Sequence, residues 1–254
     1  MSNPPLTQNQ IEKKLTDENL DELLHLWWAE QGDAKRRDLD LIASACPFSS
    51  NDELIVLDLG CGPGDVGRAI WSRFPHSHVD CVDRDLFLIS MCTVLNRRKG
   101  VPGNTFVRDL WNSDWSTGLS QDYDVVATAN AFHWLDARRV ADLFTDVFRL
   151  LRSGGVFLFV EPSCAEKIFA TGFAEWKGKQ PPRYAQENWE RFWSRANAIL
   201  GYDHTKQLGS RDTPRIGDEM PVSGWIQLLK NAGFDSIDVL LRDSDEVILA
   251  ATKP

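Results

Sequence analysis

The stretch ELIVLDLGCGPG, from Glu53 to Gly64, constrains the fold of this 254-residue chain more than any other segment. Its first half is a near-continuous apolar run, which predicts a strand buried on both faces of a parallel sheet. Gly60, Gly62 and Gly64 follow that strand, and the residues after them have the spacing of a helix. A glycine-rich turn between a strand and a helix lets main-chain N–H groups approach a ligand closely, because no Cβ intervenes. The segment therefore predicts a ligand site at the carboxyl end of a central strand.

Apolar runs of the same kind recur along the chain and mostly alternate with helical patterns. The further predicted strands are HVDCVD, TFV, DVVATAN and GVFLFVE. Strands that alternate with helices predict a parallel, doubly wound sheet. Near the C-terminus, SIDVLLR and EVILAAT flank a tight turn. This last pattern predicts an antiparallel hairpin that closes the sheet.

The segments outside these strands predict additions to the sheet. Two helical patterns precede the first strand, and an aromatic-rich segment with the amphipathic helix QENWERFWSRANAIL follows the fifth. A further helix leads into the final hairpin. We therefore expect four parts: a helical N-terminal lid at 1–50, a core at 51–162, an inserted substrate cap at 163–220, and a closing helix and hairpin at 221–254.

The charge balance and the cysteine pattern limit the classes of function. Lys plus Arg number 28 against 37 Asp plus Glu, a net charge of −9, which disfavours a nucleic-acid partner. No segment has the character of a signal peptide or a membrane span, so we expect a cytoplasmic protein without membrane contact, as a monomer or homodimer. The five cysteines show no paired spacing. This predicts buried, reduced thiols, no metal site and no cluster of thiols.

A dinucleotide-binding turn is the main alternative for the glycine-rich segment. Its fingerprint would begin at Gly60 and would require a small residue at position 65, where the chain has Asp65. A shifted alignment that ends at Gly67 exists, but it separates the fingerprint from the strand. The carboxylates of Asp58 and Asp65 would also repel a pyrophosphate. They favour instead a ligand that carries positive charge and no phosphate.

From Asp58 to Gly64 the chain resembles the D-x-G-x-G-x-G signature of the class I methyltransferases, which use S-adenosylmethionine (SAM). Four later segments resemble the motifs of that family in the same order: VDCVDRD, TFVRDL, YDVVATANAFHWL and LLRSGGVFLFVEP. The resemblance implies a Rossmann-like methyltransferase fold, an α/β fold with a seven-stranded, mostly parallel sheet whose last strand is antiparallel. It also implies SAM as cofactor and S-adenosylhomocysteine (SAH) as its product.

The resemblance also assigns the cofactor contacts. Asp83, at the end of the second strand, would accept hydrogen bonds from the ribose hydroxyls, a task that suits a carboxylate. The neighbouring Asp80 and Asp85 leave that assignment ambiguous, although Asp80 would face away from Asp83 on the strand. Asp109 would meet the adenine amino group. The predicted cofactor residues are Asp58, Gly60, Gly62, Gly64, Asp83, Arg84, Asp109, Leu110, Asn130 and Phe132.

The sequence after the fourth strand bears on the methyl acceptor. Ala129–Phe132 stands where enzymes that methylate base amino groups carry a [DNS]-P-P-[YFW] motif, and no cysteine lies there to attack a pyrimidine. ANAFHWL instead resembles the motif of the trans-aconitate methyltransferase type, which esterifies carboxylates. The resemblance implies SAM-dependent methylation of a small molecule, at a carboxylate or hydroxyl oxygen. A methyltransferase acting on protein or RNA, and a non-catalytic SAM-binding module, remain alternatives.

His133 is the one catalytic candidate at this strand end. Ligands bind at the carboxyl ends of strands in open α/β sheets. The His133 ring can therefore be a pocket contact, a packed ring or a proton acceptor. Asp136 is the predicted N-cap of the following helix. The predicted substrate contacts are Trp27, Trp28, His133, Glu161, Tyr184 and Trp193.

Overall fold

Seven strands form one sheet in the computed structural model of the chain, which describes residues 6–180, 186–204, 216 and 220–254. Their bounds are β1 Ile55–Leu59, β2 His78–Asp83, β3 Thr105–Val107, β4 Tyr123–Ala129, β5 Leu151–Pro162, β6 Asp235–Asp243 and β7 Glu246–Thr252. The strand order is β3-β2-β1-β4-β5-β7-β6; β7 runs antiparallel to both β5 and β6, and the other adjacent pairs are parallel. The predicted fold, a seven-stranded and mostly parallel sheet with an antiparallel last strand, is confirmed.

Helices connect the strands and cover both faces of the sheet. Their bounds are α1 Gln8–Lys14, α2 Asp17–Ala45, α3 Asp65–Arg73, α4 Leu86–Lys99, α5 Ala137–Leu150, α6 Ala170–Lys177, α7 Gln186–Leu200 and α8 Val222–Ala232. Asp136 caps α5 by accepting the N–H of Arg139, as predicted. Gly32 interrupts α2 with a φ of +66°, which separates two helical segments at a kink. Among the described helices, none is both long enough and apolar enough to cross a bilayer.

Two hydrophobic layers sandwich the sheet because successive strand residues face opposite sides. The face towards α5 and α8 carries an aromatic cluster, whose members include Phe132, Phe144, Phe157, Phe159 and Trp225. The opposite face carries Val156, Leu158 and Val160 of β5, packed in one cluster with residues of α2, α3 and α4. Since both faces are covered, a ligand can approach the central strands only at their ends.

A helical layer built from α1, the start of α2, α4 and α7 lies beside the sheet. Its aromatic centre is Phe192, whose ring lies 5.3 Å from that of Trp27 and 6.3 Å from that of Phe87. The later part of α2 leaves this layer and packs against the sheet through Leu39 and Ile42. Parts of the predicted lid and of the predicted cap therefore share one hydrophobic cluster. The domain boundaries at 50, 162 and 220 stay predictions.

Asp80 of β2 is a buried carboxylate whose partners belong to the sheet and its connections. Its Oδ2 accepts from the Tyr123 hydroxyl at 2.8 Å, and its Oδ1 accepts from the main-chain N–H of Asn104 at 3.1 Å. The His78 ring nitrogen Nε2 lies 3.1 Å from the same oxygen. Asp80 thus links β2, β4 and the segment before β3. Because both oxygens of Asp80 are bonded within the fold, Asp80 is not available as the ribose acid, and its part of the ambiguity with Asp83 is removed.

Replacement of Tyr123 by Phe is expected to destabilise the protein. The change leaves Asp80 Oδ2 buried without its hydroxyl donor, a defect that lowers the free energy of unfolding by about 1–3 kcal/mol. Urea denaturation measures it. Tyr202→Phe, at a partly exposed tyrosine, is the matched control and should change stability by less than about 0.5 kcal/mol. Equal effects of the two substitutions would contradict the assigned role of Asp80.

Candidate active site

The turn after β1 has a backbone that glycine adopts with little strain. Gly60, Gly62 and Gly64 have φ values of +57°, +53° and +88°, in the left-handed region. Close packing adds a second requirement at Gly60, where a Cβ would lie 2.4 Å from the Cβ of Ala131. The glycine-rich turn therefore lies directly against the turn that follows β4.

Asp83 ends β2 and holds the glycine-rich turn. Its Oδ2 accepts the N–H of Gly62 at 2.7 Å, and its Oδ1 accepts the N–H of Asp85 at 2.8 Å. Burial, followed by the negative charge of Asp85, raises the pKa of Asp83 from 3.8 to about 7. Each carboxylate oxygen can accept a further hydrogen bond, so two hydroxyl donors fit this side chain. The predicted ribose acid stands beside the glycine-rich turn.

Asp58, a predicted cofactor residue, lies beneath the turn and not on its surface. Its Oδ2 accepts the N–H of Gly67 in α3 at 2.8 Å, and the side chain is fully buried. Burial raises the pKa of Asp58 well above its usual range. Because no atom of the carboxylate is exposed, Asp58 shapes the turn and the first residues of α3 from below.

The end of β3 brings three more predicted cofactor residues near Asp83. The main-chain N–H of Arg108 donates to the Asp83 carbonyl at 2.9 Å, and Asp109 and Leu110 follow directly. The side chain of Asp109 is partly exposed, whereas that of Leu110 is buried in the core. Arg84 is exposed. At this edge the side chain of Asp109 is accessible to a ligand, whereas the buried side chain of Leu110 is not.

Glu161, at the end of β5, organises the turn after β4. Its Oε1 accepts the main-chain N–H groups of Ala131 at 2.8 Å and Phe132 at 2.6 Å. Its Oε2 accepts the main-chain N–H of His133 at 3.2 Å and lies 2.9 Å from the His133 ring nitrogen Nδ1. Glu161 is fully buried, so this predicted substrate residue serves the turn instead. The ring of Phe132, a predicted cofactor residue, packs in the aromatic cluster, which leaves only its main chain at the site.

His133 is oriented by its bond to Glu161. Since Nδ1 faces the carboxylate, Nε2 is the ring atom that remains for a ligand, and the side chain is 22% exposed. The neighbouring Asn130 has a φ of +58°, which is uncommon outside glycine. Its Nδ2 donates to Oε1 of Glu246 at 3.3 Å. The turn thus brings Asn130 and His133 together at the carboxyl end of β4.

Trp27, a predicted substrate residue, connects the helical layer to the glycine-rich turn. Its Nε1 donates to Oδ2 of Asp65 at 2.7 Å, and Asp65 also pairs with Arg68 at 2.7 Å. The indole ring lies over Gly62, where an added Cβ would be 3.7 Å from two ring atoms. Trp27 is itself buried. The ring therefore covers the turn that the resemblance assigns to the cofactor.

A buried histidine connects α7 and the residues after it to the end of β2. His204 Nε2 lies 2.8 Å from Oδ1 of Asp85, a residue that also caps α4. Trp193, a predicted substrate residue, stacks on His204 with ring centroids 6.0 Å apart, within the helical layer. Trp28 is partly buried against the same layer. Tyr184 lies outside the described residues.

Lys35 of α2 is a site residue that the sequence interpretation misses. Its side chain is only 6% exposed, and burial lowers the pKa of its ammonium group. Four carboxylates act in the opposite direction on this pKa: Glu246, Asp65, Asp38 and Glu161. Within the described residues, Lys35 makes no ion pair. Helical spacing is the signal that could have indicated its burial. Leu39 and Ile42, four and seven residues after Lys35, lie on the buried face of α2.

The prediction that the thiols form no cluster is wrong. The sulfurs of Cys61, Cys81 and Cys92 lie within 4.8 Å of one another, and all three residues are buried. They belong to the glycine-rich turn, β2 and α4. Parallel β-α-β packing brings these elements together although the residues are far apart in sequence. The expectation of buried thiols holds for four of the five cysteines, since Cys164 is partly exposed.

Comparisons with known proteins agree with this geometry. Residues 56–155 match the family described as a methyltransferase domain. Malonyl-[acyl-carrier protein] O-methyltransferase of Bacillus cereus is 30% identical over 113 residues, which are 44% of this chain and 39% of that protein. Trans-aconitate 2-methyltransferase of Acidovorax sp. is 32% identical over 108 residues, which are 42% of this chain and 38% of that protein. Ribosomal RNA small subunit methyltransferase C of Aliivibrio salmonicida is 31% identical over 78 residues, which are 31% of this chain and 22% of that protein. The chain therefore spans about two fifths or less of these curated relatives.

Solved structures share the fold. Human N-acetylserotonin methyltransferase in complex with SAM has a TM-score of 0.56 and 15% identity, over 93% of this chain and 56% of that chain. The matched domain, the sheet topology and this likeness agree: residues 56–155 are a methyltransferase domain in the fold of the SAM-dependent methyltransferases, a class whose cofactor is SAM. The residues present fit that cofactor, because the glycine-rich turn and the Asp83 carboxylate offer N–H donors and hydroxyl acceptors side by side. The predictions of family, fold and cofactor are confirmed.

The affinity for SAH is expected to rise with pH through the pKa of Asp83. Ribose hydroxyls donate to the ionised carboxylate, and a pKa of about 7 increases that form from about a tenth at pH 6 to about nine tenths at pH 8. SAH should therefore bind about tenfold more tightly at pH 8 in isothermal titration calorimetry. Asp83→Asn should bind SAH more weakly and without this pH dependence. A variant that keeps the tenfold difference would refute the ribose contact.

Proposed function

We propose that the chain transfers the methyl group of SAM to a carboxylate oxygen of a small molecule. The observation that carries the proposal is the buried Lys35, whose electrostatic partners Glu161, Glu246 and Asp65 lie at the turn after β4 and at the start of α3. These carboxylates alone would repel an anionic acceptor, and the ammonium offsets them. Its three N–H donors make no ion pair within the described residues and suit a carboxylate. Lys35 is then the proposed anchor of the acceptor.

The other residues of the site have separate tasks in this proposal. Asp83 and Asp109 would bind the ribose and the adenine of the cofactor. Trp27, which lies over Gly62, would exclude water from the reacting groups. His133, oriented by Glu161, would contact the acceptor through Nε2. A protonated imidazole donates from both nitrogens, so the ring can bond the Glu161 carboxylate and an acceptor carboxylate together.

Methylation of a carboxylate requires little catalytic assistance from the protein. SAM supplies an activated methyl group, and the carboxylate oxygen bonds to its carbon while the electron pair of the broken C–S bond stays on sulfur. No proton leaves the acceptor, which is already ionised at neutral pH, so no general base is required. The protein then contributes the alignment of the reactants and the exclusion of water. In this proposal His133 orients the acceptor and does not remove a proton.

The relatives support this acceptor class without deciding it. The names of two of them specify O-methylation of a malonyl group on acyl-carrier protein and methylation of trans-aconitate, both derived from carboxylic acids. A third relative is named for ribosomal RNA. The net charge of −9 weighs against an RNA acceptor, because RNA binding relies on basic side chains. A hydroxyl acceptor is the second candidate, since a neutral His133 ring could accept its proton at Nε2.

An acceptor panel with methyl-tritiated SAM tests the proposal. The panel contains small di- and tricarboxylic acids, phenols, acyl-carrier protein loaded with a malonyl group, and ribosomal RNA. We expect label in a small carboxylic acid, released as volatile methanol after alkaline treatment, because methyl esters hydrolyse in base whereas methyl ethers and N-methyl groups do not. Base-stable label in a phenol or in RNA would refute a carboxylate acceptor.

Lys35→Met should lower kcat/KM for the carboxylate acceptor by about thirtyfold or more, with the SAH dissociation constant unchanged. The reason is the loss of one partner from a buried charge pair, which costs about 2 kcal/mol or more. Lys13→Met, which removes an exposed lysine from α1, is the matched control and should behave like the parent. Steady-state kinetics and calorimetry separate the two effects. If Lys35→Met weakens SAH instead, the lysine binds the cofactor and the proposed anchor is wrong.

A further inference from the structure

The thiol cluster, defined as Cys61, Cys81 and Cys92, is a candidate binding site behind the glycine-rich turn. Its three sulfurs lie within 4.8 Å of one another, although the residues come from three separate elements. Cys81 and Cys92 are completely buried, and Cys61 is 6% exposed. Three sulfurs converging on one point form the ligand set that soft metal ions prefer.

The surroundings of the thiol cluster supply hydrogen-bond donors and positive charge. The side-chain amide of Asn96 points Nδ2 at Cys81 Sγ, 3.7 Å away, and at Cys92 Sγ, 3.6 Å away. The Arg68 guanidinium donates to Oδ1 of the same amide at 3.3 Å. Donors aimed at the sulfurs stabilise thiolates, and such partners orient and tune a metal site.

The side chain of Asp58 lies on the same face of the sheet as the thiol cluster, because Asp58 is paired in register with Cys81. Its Oδ2 accepts from Gly67, and within the described residues its Oδ1 is buried without a hydrogen-bond partner. Asp58 does not belong to the group whose ligand atoms lie within 4.8 Å of one another, so its carboxylate is a neighbour of the cluster and not one of its ligands.

We propose that the thiol cluster binds one thiophilic divalent metal ion of the zinc type through the sulfurs of Cys61, Cys81 and Cys92. Each thiol that coordinates as a thiolate releases its proton to solvent. Three thiolates and a divalent ion leave one net negative charge, which the Arg68 guanidinium offsets through Asn96. Three sulfurs supply three of the four positions of the tetrahedron that zinc prefers, and a water molecule can take the fourth.

The ion and the cofactor share the glycine-rich turn. Cys61 stands between Gly60 and Gly62, and the N–H of Gly62 is bound by Asp83. A Cβ on Gly64 would lie 2.5 Å from Cys92 Sγ, so the turn rests on the thiol cluster. Zinc–sulfur bonds of about 2.3 Å in a tetrahedron bring sulfurs to about 3.8 Å. Ion binding therefore constrains the turn through Cys61, and we expect it to change the affinity for the cofactor.

Metal analysis of the full chain tests the site directly. The untagged protein, reduced with a phosphine, is incubated with Zn²⁺ or Cd²⁺, freed of excess ion and analysed for metal content. We expect one ion per chain, together with the cadmium–thiolate charge-transfer absorption of three sulfurs. Cys46→Ser, at a buried cysteine outside the thiol cluster, should bind the same amount. Cys92→Ser and Cys81→Ala, checked for folding by circular dichroism, should lose the ion. Retention of the ion in both variants, or no ion in the parent, would overturn the proposal.

Calorimetry tests the coupling of the two sites. The SAH dissociation constant of the zinc-loaded protein should differ at least fivefold from that of the zinc-free protein, and SAH should change the zinc dissociation constant by the same factor, because linkage is reciprocal. Cys92→Ser should bind SAH equally with and without zinc. Equal SAH affinity for zinc-loaded and zinc-free parent would overturn the coupling. Since metal content and SAH binding need no methyl acceptor, failure of the acceptor assays leaves this test independent.

Discussion

The carboxyl edge of the sheet depends on one buried carboxylate, that of Glu161. It accepts three consecutive main-chain N–H groups and faces an imidazole nitrogen, so the turn after β4 has one arrangement. Ala131 in that turn contacts Gly60 so closely that a Cβ there would clash. The glycine-rich turn is held at its other side by Asp83, which accepts the N–H of Gly62. The position of His133 relative to the cofactor turn therefore depends on Glu161, a fully buried residue.

Four aspartates near this edge show how partners decide the role of identical side chains. Asp58 supports α3 from beneath the turn, and Asp80 bonds Tyr123 and Asn104 within the fold. Asp85 caps α4 and meets His204. Only Asp83 faces the glycine-rich turn with both of its oxygens bound to main-chain N–H groups at the strand end. Burial and the charge of Asp85 raise the pKa of Asp83, which means that they disfavour its ionised form. Hydroxyl donors therefore stabilise the Asp83 carboxylate more than they would stabilise an exposed one.

The features that the sequence predicts well are those with a local cause. Apolar runs set the strands, a left-handed backbone requires the glycines, and Asp136 caps α5 through a bond three residues away. Asp83 follows from its place at a strand end. Lys35 and the thiol cluster are different, because both depend on which faces of distant elements meet. A lysine within a run of charged residues resembles a solvated surface, and three cysteines on different elements show no spacing motif. Glu161 is predicted at the right place, yet its partners, and therefore its role, follow from tertiary contacts.

The helical layer contacts the cofactor edge through two hydrogen-bonded ring systems, one on each side of the glycine-rich turn. Trp27 bonds Asp65 at the start of α3, and His204 bonds Asp85 at the start of α4. Both acids belong to helices that begin where parallel strands end, so a shift of the layer moves the two helix starts together. Phe192 joins the two contacts, because it packs on Trp27 and on Phe87 of α4. The ring that covers the cofactor turn and the histidine that bonds Asp85, two residues after Asp83, are therefore held by one hydrophobic layer, to which the aromatic residues of α7 belong.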